Sequence, residues 1–410
     1  MLIKSVLMEL RSRLRSCNVY ITTGVDFTKE CNLKISIKSN RIILNYYNDY
    51  KSSRRDSLSS IESLSDCYSE DEFEATTIIP IVEFCQIIPN SMSCLKIDKN
   101  TISFRILTEP TNGGNFYKEF ISENLEDSVK SSDVKVNVRV GDAVKIICSN
   151  CSNLISDGCV KFERILELPS NNMDMSEWFC HGHSHGSQTE VVLKSNKLDF
   201  LHRLTYFAIN PSVLSEKTNK FNSKRAVYHC NRCLAWLGLK NKDNIKLFNS
   251  EVKIQQNDTE QLALTFKNQL ASVHVSDFVH TIECMMKEFN LGLQFTIMCK
   301  IVLECTISVI KKQYLLIWVM DKELQVLRNK DQIVTDKIEL QSNIATKILF
   351  KIELELNDEV ESWLSDPSVV STDISKNMFH QGVEHLQQMS LKVPETFRNT
   401  NGYSVSYLKI

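Results

Sequence analysis

The sequence predicts an α+β protein, and three observations carry that expectation. Short runs rich in β-branched and aromatic residues fill its first half, two Cys-x2-Cys pairs occupy its middle, and helical and strand periodicities alternate in its last third. At 410 residues and 42% hydrophobic content the chain can bury a sizeable core, which excludes global disorder. One core seldom grows beyond about 250–300 residues, so more than one lobe is expected. The divisions we expect are a strand-rich N-terminal domain over 1–133, a Cys/His-rich middle over 134–250 and a mixed α/β C-terminal lobe over 251–410.

Charge removes several function classes. Lys and Arg number 48 against 50 Asp and Glu, so the formal net charge of −2 gives no basis for direct nucleic-acid binding or for attraction to an anionic membrane. No G-x-G-x-x-G, Walker A or G-x-S-x-G string occurs, which removes the usual entry points to nucleotide binding and serine hydrolysis. The first residues carry charges from Lys4 to Arg15 and so lack the apolar centre of a signal peptide. The most apolar stretch, 291–320, is broken by Lys300, Glu304, Lys311 and Lys312 and reads as buried strand or helix rather than a membrane span. With no export signal, the 14 cysteines are expected in a reducing compartment, the cytoplasm, as thiols or metal ligands.

In chain order, strands are expected at 19–23, 33–37, 41–46, 77–82, 94–97 and 101–107. Between them, 51–72 holds eight serines and six acids in 22 residues, too little apolar surface to offset its ordering entropy, and reads as a disordered insert. A second polar stretch, 109–132, reads as a linker. Val134, Val136, Val138 and Val140 alternate with other residues as a strand with one buried face, and Gly141-Asp142 turns the chain into a second strand at 143–147. Further strands are expected at 160–168, 225–229, 313–319 and 347–354. Helices are expected at 277–288, with Phe278, Ile282, Met285 and Met286 on one side, and at 373–389.

Cys148/Cys151 and Cys230/Cys233 form two pairs, 78 residues apart, each following a strand. Zinc favours four tetrahedral thiolate or imidazole ligands, and a Cys-x2-Cys turn offers two sulfurs at about the right separation. The two turns together would make a closed structural zinc site stapling the middle of the chain, with Cys159 as a less suitable substitute. Buried thiols without metal are the alternative. Between the pairs lies Trp178-Phe179-Cys180-His181-Gly182-His183-Ser184-His185-Gly186, which reads as a glycine-bounded loop with metal affinity. Cys180 has three candidate roles there: structural ligand, nucleophile beside the His181 imidazole, or thiolate presented to a partner's metal. His202, His274 and His280 have no evident sequence partner and read as packing or surface residues.

Taken in order, these residues resemble a known family. Cys148-x2-Cys151, Leu168-Pro169-Ser170, Trp178-Phe179-Cys180-His181 and Cys230-x2-Cys233-x3-Leu237-Gly238 are similar to the motif series of the HECT-like ubiquitin-conjugating-enzyme-binding family. Trp363-Leu364-Ser365-Asp366, Val393-Pro394 and Arg398 resemble its closing segment, while Met173 stands where that family usually has Trp. The resemblance implies a HECT-like C-terminal domain and an E3 ubiquitin-protein ligase. Such a protein accepts ubiquitin from a ubiquitin-conjugating enzyme and promotes its transfer to protein substrates. The last cysteine is Cys305, so the final 105 residues offer no HECT-type catalytic thiol, and Cys180 with His181 becomes the candidate for any thioester. The resemblance also implies an alternative. A non-catalytic inhibitor or chaperone of the pre-mRNA 3′-end cleavage and polyadenylation endonuclease would insert the Cys180-His181 loop into that enzyme's metal site, anchored by Trp178 and Phe179. Under that reading a nuclear fraction is expected as well.

Overall fold

A computed structural model describes residues 3–24, 26–27, 32–47, 75–111, 134–168, 197–241, 243–266, 270, 272–289, 299–329 and 338–408. The expected insert at 51–72 and most of the expected linker at 109–132 lie outside the described residues.

The architecture is α+β, as the sequence predicts, and strands dominate it. Its spine is an 11-stranded sheet assembled from both ends of the chain. Its main path runs Asn399–Thr400, Tyr403–Tyr407, Leu340–Glu353, Lys312–Asn329, Ile3–Arg11, Ser16–Thr23, Thr101–Glu109 and Gln86–Ile87. The 18-residue strand Lys312–Asn329 is the hinge of this arrangement. One end pairs with Ile3–Arg11 through Gln325–Arg328, and the other pairs with Lys300–Thr306 through Lys312–Trp318. Between these ends its register with Leu340–Glu353 shifts twice, at Val319/Asp321 and Asp321/Leu324. Such irregularities bend a strand and increase its twist, which lets one hairpin serve two separate cores.

The first core gathers Val6, Met8, Leu10, Val19, Ile21, Ile102, Phe104 and Ile106 from the N-terminal strands with Leu327 and Ile338. The second shows strand alternation directly. Ile301, Leu303, Leu315, Ile317 and Val319 face the helices Val273–Phe289 and Lys376–Ser390. Val302, Tyr314 and Leu316 face Val360 and Trp363 of the helix Asp358–Ser365 on the other side. Phe278, Ile282, Met285 and Met286 all point into the core, as their spacing predicts. Ser375 and Asn357 start their helices by accepting from the backbone amides of Met378 and Val360.

The middle of the chain packs a six-stranded sheet against a four-stranded one. The first is ordered Arg164–Glu167, Asp199–Arg203, Tyr206–Ile209, Ile245–Phe248, Trp236–Lys240, Val227–His229, and the second Val160–Lys161, Ala143–Cys148, Val252–Gln256, Thr259–Gln261. Phe162, Phe200, Phe207, Tyr228, Leu247 and Ile254 fill the space between them. Two expectations change here. The strand begun at Val134 stops at Val136 because its partner, Leu264–Phe266, is only three residues long, leaving Val138 buried but Val140 exposed. The strand expected at 160–168 is two strands, Val160–Lys161 and Arg164–Glu167, which belong to different sheets.

Candidate metal centre

Cys148 ends the strand Ala143–Cys148, and Cys230 follows Val227–His229 directly. Beyond each strand the chain makes the same turn. Ser152 N–H donates to Cys148 O at 2.9 Å and Cys148 N–H donates to Asn153 O at 2.9 Å; Leu234 N–H donates to Cys230 O at 3.0 Å and Cys230 N–H donates to Ala235 O at 2.9 Å. The fourth residue after each leading cysteine, Ser152 or Leu234, is left-handed, with φ of 52° and 63°. A leucine in that region is uncommon and costs about 1–2 kcal/mol, so the turn at Cys230 is held by its surroundings rather than by local preference. Asn153 joins the two turns, donating to Asn231 Oδ1 at 2.8 Å.

The four sulfurs lie within 4.8 Å of one another. Cys148 Sγ is 3.7 Å from Cys233 Sγ, and Cys151 Sγ is 3.7 Å from Cys230 Sγ. A disulfide needs about 2.05 Å, so these are not disulfide bonds. Thiolates about 2.3 Å from a tetrahedral ion stand about 3.8 Å apart, close to the separation of these two pairs. The cluster therefore fits one tetrahedral metal ion. Cys148 and Cys230 are buried in the core of the middle region, while Cys151 and Cys233 are partly exposed.

Burial pushes the Cys148 and Cys151 thiols up. Burial acts on Cys233 too, but hydrogen bonds from the Asn150 side chain and the Ala235 backbone outweigh it and draw that thiol down to about 6. Four neighbouring sulfurs cannot all ionise without a cation, and a divalent ion would supply one.

Cys159 is exposed and stands outside the cluster. Cys180, His181, Trp178 and Phe179, like His183 and His185, lie outside the described residues.

Beside the metal turns opens a cleft of about 590 Å³, lined by Ser149 and Asn150 from one turn, Leu234 to Trp236 from the other, and Glu251, His274, Ile307, Lys376 and Asn377. Glu251 is buried at its floor. Its Oε1 accepts from Ser375 Oγ at 2.6 Å, its Oε2 accepts from Asn377 Nδ2 at 3.0 Å, and His274 Nε2 lies 3.3 Å from Oε1. Sequence reasoning missed this group because its members are dispersed over 127 positions, from Glu251 to Asn377, with no local spacing to reveal them. A second miss had a signal. His280 and Cys284 are four residues apart on one helix, and Sγ lies 3.1 Å from Nε2 while the imidazole stacks on Phe266 at 3.8 Å. His274 and His280 are thus not the unpartnered histidines that the sequence suggests.

A family model described as HECT-like ubiquitin-conjugating enzyme (E2)-binding matches residues 9–405. No curated protein and no solved structure matches the chain. The match covers nearly the whole chain, and the chain belongs to that family.

Proposed function

We propose that this member of the HECT-like E2-binding family is a ubiquitin-protein ligase that holds a ubiquitin-charged conjugating enzyme and promotes transfer of ubiquitin to protein substrates. The observation that carries this reading is the family match over residues 9–405, whose description names the conjugating enzyme as what the family binds. Zinc is the ion we assign to Cys148, Cys151, Cys230 and Cys233, because a closed set of four thiolates with tetrahedral edges is its preferred structural site. It carries no reaction step; it holds two turns as fixed walls for a partner.

The reaction needs little chemistry from the ligase. A substrate amine attacks the thioester carbonyl of the charged conjugating enzyme, an amide forms, and the conjugating enzyme's own cysteine leaves as thiolate. Holding these groups together replaces a bimolecular encounter, an effect worth several kcal/mol of barrier. The family match extends to residue 405 and holds no cysteine after Cys305, and on that basis we assign transfer by positioning.

The test is discharge of a ubiquitin-charged conjugating enzyme by the purified protein, wild type against Cys180→Ala, with a non-reducing gel to show adducts. Discharge without an adduct, unchanged in the variant, supports positioning. A thiol-sensitive adduct lost in the variant keeps the ligase but makes Cys180 its nucleophile. Absence of discharge with every conjugating enzyme tested overturns the ligase reading in favour of the endonuclease partner.

A further inference from the structure

The cleft beside the metal turns has three properties that its role in folding does not require. The first is unpartnered polarity. Ser149 Oγ is buried at its wall and makes no hydrogen bond among the described residues. Buried polar groups are nearly always satisfied in a protein interior, so a hydroxyl left over at a cleft wall takes its partner from water or from a bound molecule. The second is an apolar rim. Leu234 is 61% exposed at the tip of the second metal turn. Ile307 lines the cleft and opens a tight turn, closed by Ile307 N–H to Lys311 O at 2.9 Å, whose tip presents Val309 at 76% and Ile310 at 96% exposure. Trp236 fastens that turn to the metal region, its indole N–H donating to Thr306 O at 3.0 Å. Large side chains exposed together on adjoining rigid elements mark an interaction surface rather than chance exposure.

The third property is charge. Arg232, Lys311 and Lys376 are exposed on the three segments that frame the cleft, and none forms an ion pair among the described residues. Lys376 also opens the helix Lys376–Ser390, whose N-terminal end adds partial positive charge. The one acid in the lining, Glu251, is buried and already engaged by Ser375, Asn377 and His274. The cleft thus offers apolar contact, the free Ser149 hydroxyl and a basic rim without ion-pair partners among the described residues. A small metabolite would leave Val309 and Ile310 uncovered, whereas a folded protein loop covers them.

Resting on the ligase reading above, we propose that this cleft and its rim are where the conjugating enzyme docks, through a surface loop that sets an apolar side chain against Leu234 and Ile307 and carboxylates toward Arg232, Lys311 and Lys376. The metal ion would fix two walls of the site in advance, which reduces the ordering cost of binding. The basic rim would steer association and make it sensitive to salt.

The experiment uses the full-length zinc-loaded protein and a conjugating enzyme that the wild type binds, with Kd measured by calorimetry at two salt concentrations. Ile310→Asp and Lys376→Glu change exposed side chains that are neither metal ligands nor core residues, so zinc content and melting temperature should stay at wild-type values. Each is expected to weaken binding at least tenfold, and Leu14→Asp, at an exposed leucine in the turn between the first two strands, to leave it unchanged. Lys376→Glu should also reduce the salt dependence. Binding within twofold of wild type in both folded variants overturns the docking site while leaving the ligase reading intact. A wild type that binds no conjugating enzyme overturns that reading, and this inference with it.

Discussion

Glu9 and Tyr407, 398 residues apart in the chain, meet through a hydrogen bond of 2.8 Å from the tyrosine hydroxyl to Glu9 Oε1. Lys347 Nζ donates to the same oxygen at 2.7 Å, and Asn18 Nδ2 reaches Oε2 at 3.4 Å. Four strands of the large sheet thus converge on one carboxylate that is 1% exposed. The pairing of Ile3–Arg11 with Lys312–Asn329 joins the N-terminal strands of the sheet to the C-terminal ones, and this group spans that junction.

Glu9→Gln should therefore destabilise the whole sheet rather than one end of it. Removing one partner of a buried ion pair costs about 3–5 kcal/mol, because the other charge is left uncompensated. The double change Glu9→Leu with Lys347→Met should cost less than either single change, a comparison that denaturant unfolding can make. Burial raises the Glu9 carboxyl, but the Lys347 ammonium and the hydrogen bonds from Lys347 and Tyr407 outweigh it and hold it below its ordinary 4.5. A lowered pKa means stability that is fully present above pH 4.5 and is lost as pH falls through the lower, folded value. The gap between wild type and Glu9→Gln should accordingly narrow only in that acid window, and a gap independent of pH down to pH 2 would refute the assignment.

The same strand shows where sequence reading stops. Ile3–Arg11 carries Lys4, Glu9 and Arg11, and those charges hid a strand whose Val6, Leu7, Met8 and Leu10 are all buried. Nothing local distinguishes a buried, paired Glu9 from a solvated one, since its partners come from the far end of the chain. The helix at Val273–Phe289 was legible because its apolar spacing is a local property, and the four cysteines because two short spacings carry the chemistry. The Glu251 and His274 contact was not legible, because tertiary structure alone brings a turn and a distant helix start together. The valine alternation at 134–140 misled because strand length is set by the partner, and that partner ends after three residues.

Gly382 lies on the helix Lys376–Ser390 where a Cβ would overlap the ring of Phe278 on the neighbouring helix. Phe278 is fully buried, so the ring has nowhere to withdraw. Gly382→Ala would gain up to about 1 kcal/mol of helix propensity, yet overpacking of this kind costs typically 1–3 kcal/mol, and we expect a net loss. Adding Phe278→Leu should return part of it. A higher melting temperature for Gly382→Ala alone would show that the helices separate freely.

Cys148→Ser and Cys233→Ser should each unfold the middle region, since structural zinc contributes roughly 10 kcal/mol to small metal domains. Metal analysis should find one zinc per chain in the wild type, and a strong chelator should produce the same loss of structure as either substitution. Cys159→Ser, outside the cluster, should retain the metal. A fully folded wild-type protein without bound metal would show that the four thiols pack on their own.

Asp277 gives the pH prediction of opposite sign. Its side chain is buried at the start of the helix that packs on the sheet, and burial pushes its carboxyl up to about 8, with the nearby Glu251 charge adding to the rise. Asn249 Nδ2, 3.4 Å from Oδ2, pulls the other way without prevailing. An acid whose folded pKa is raised keeps a proton that the unfolded chain has released, so stability declines as pH rises from its ordinary 3.8 to about 8. Across that window each pH unit removes at most about 1.4 kcal/mol, and relaxation around the charge leaves a total on the order of a few kcal/mol. Asp277→Asn keeps an oxygen to accept from Asn249 and removes the titration. We expect it to match wild type near pH 4 and to exceed it by several degrees in melting temperature at pH 8. Parallel melting curves for the two proteins across that range would mean that Asp277 ionises without cost, and that water or a cation reaches it.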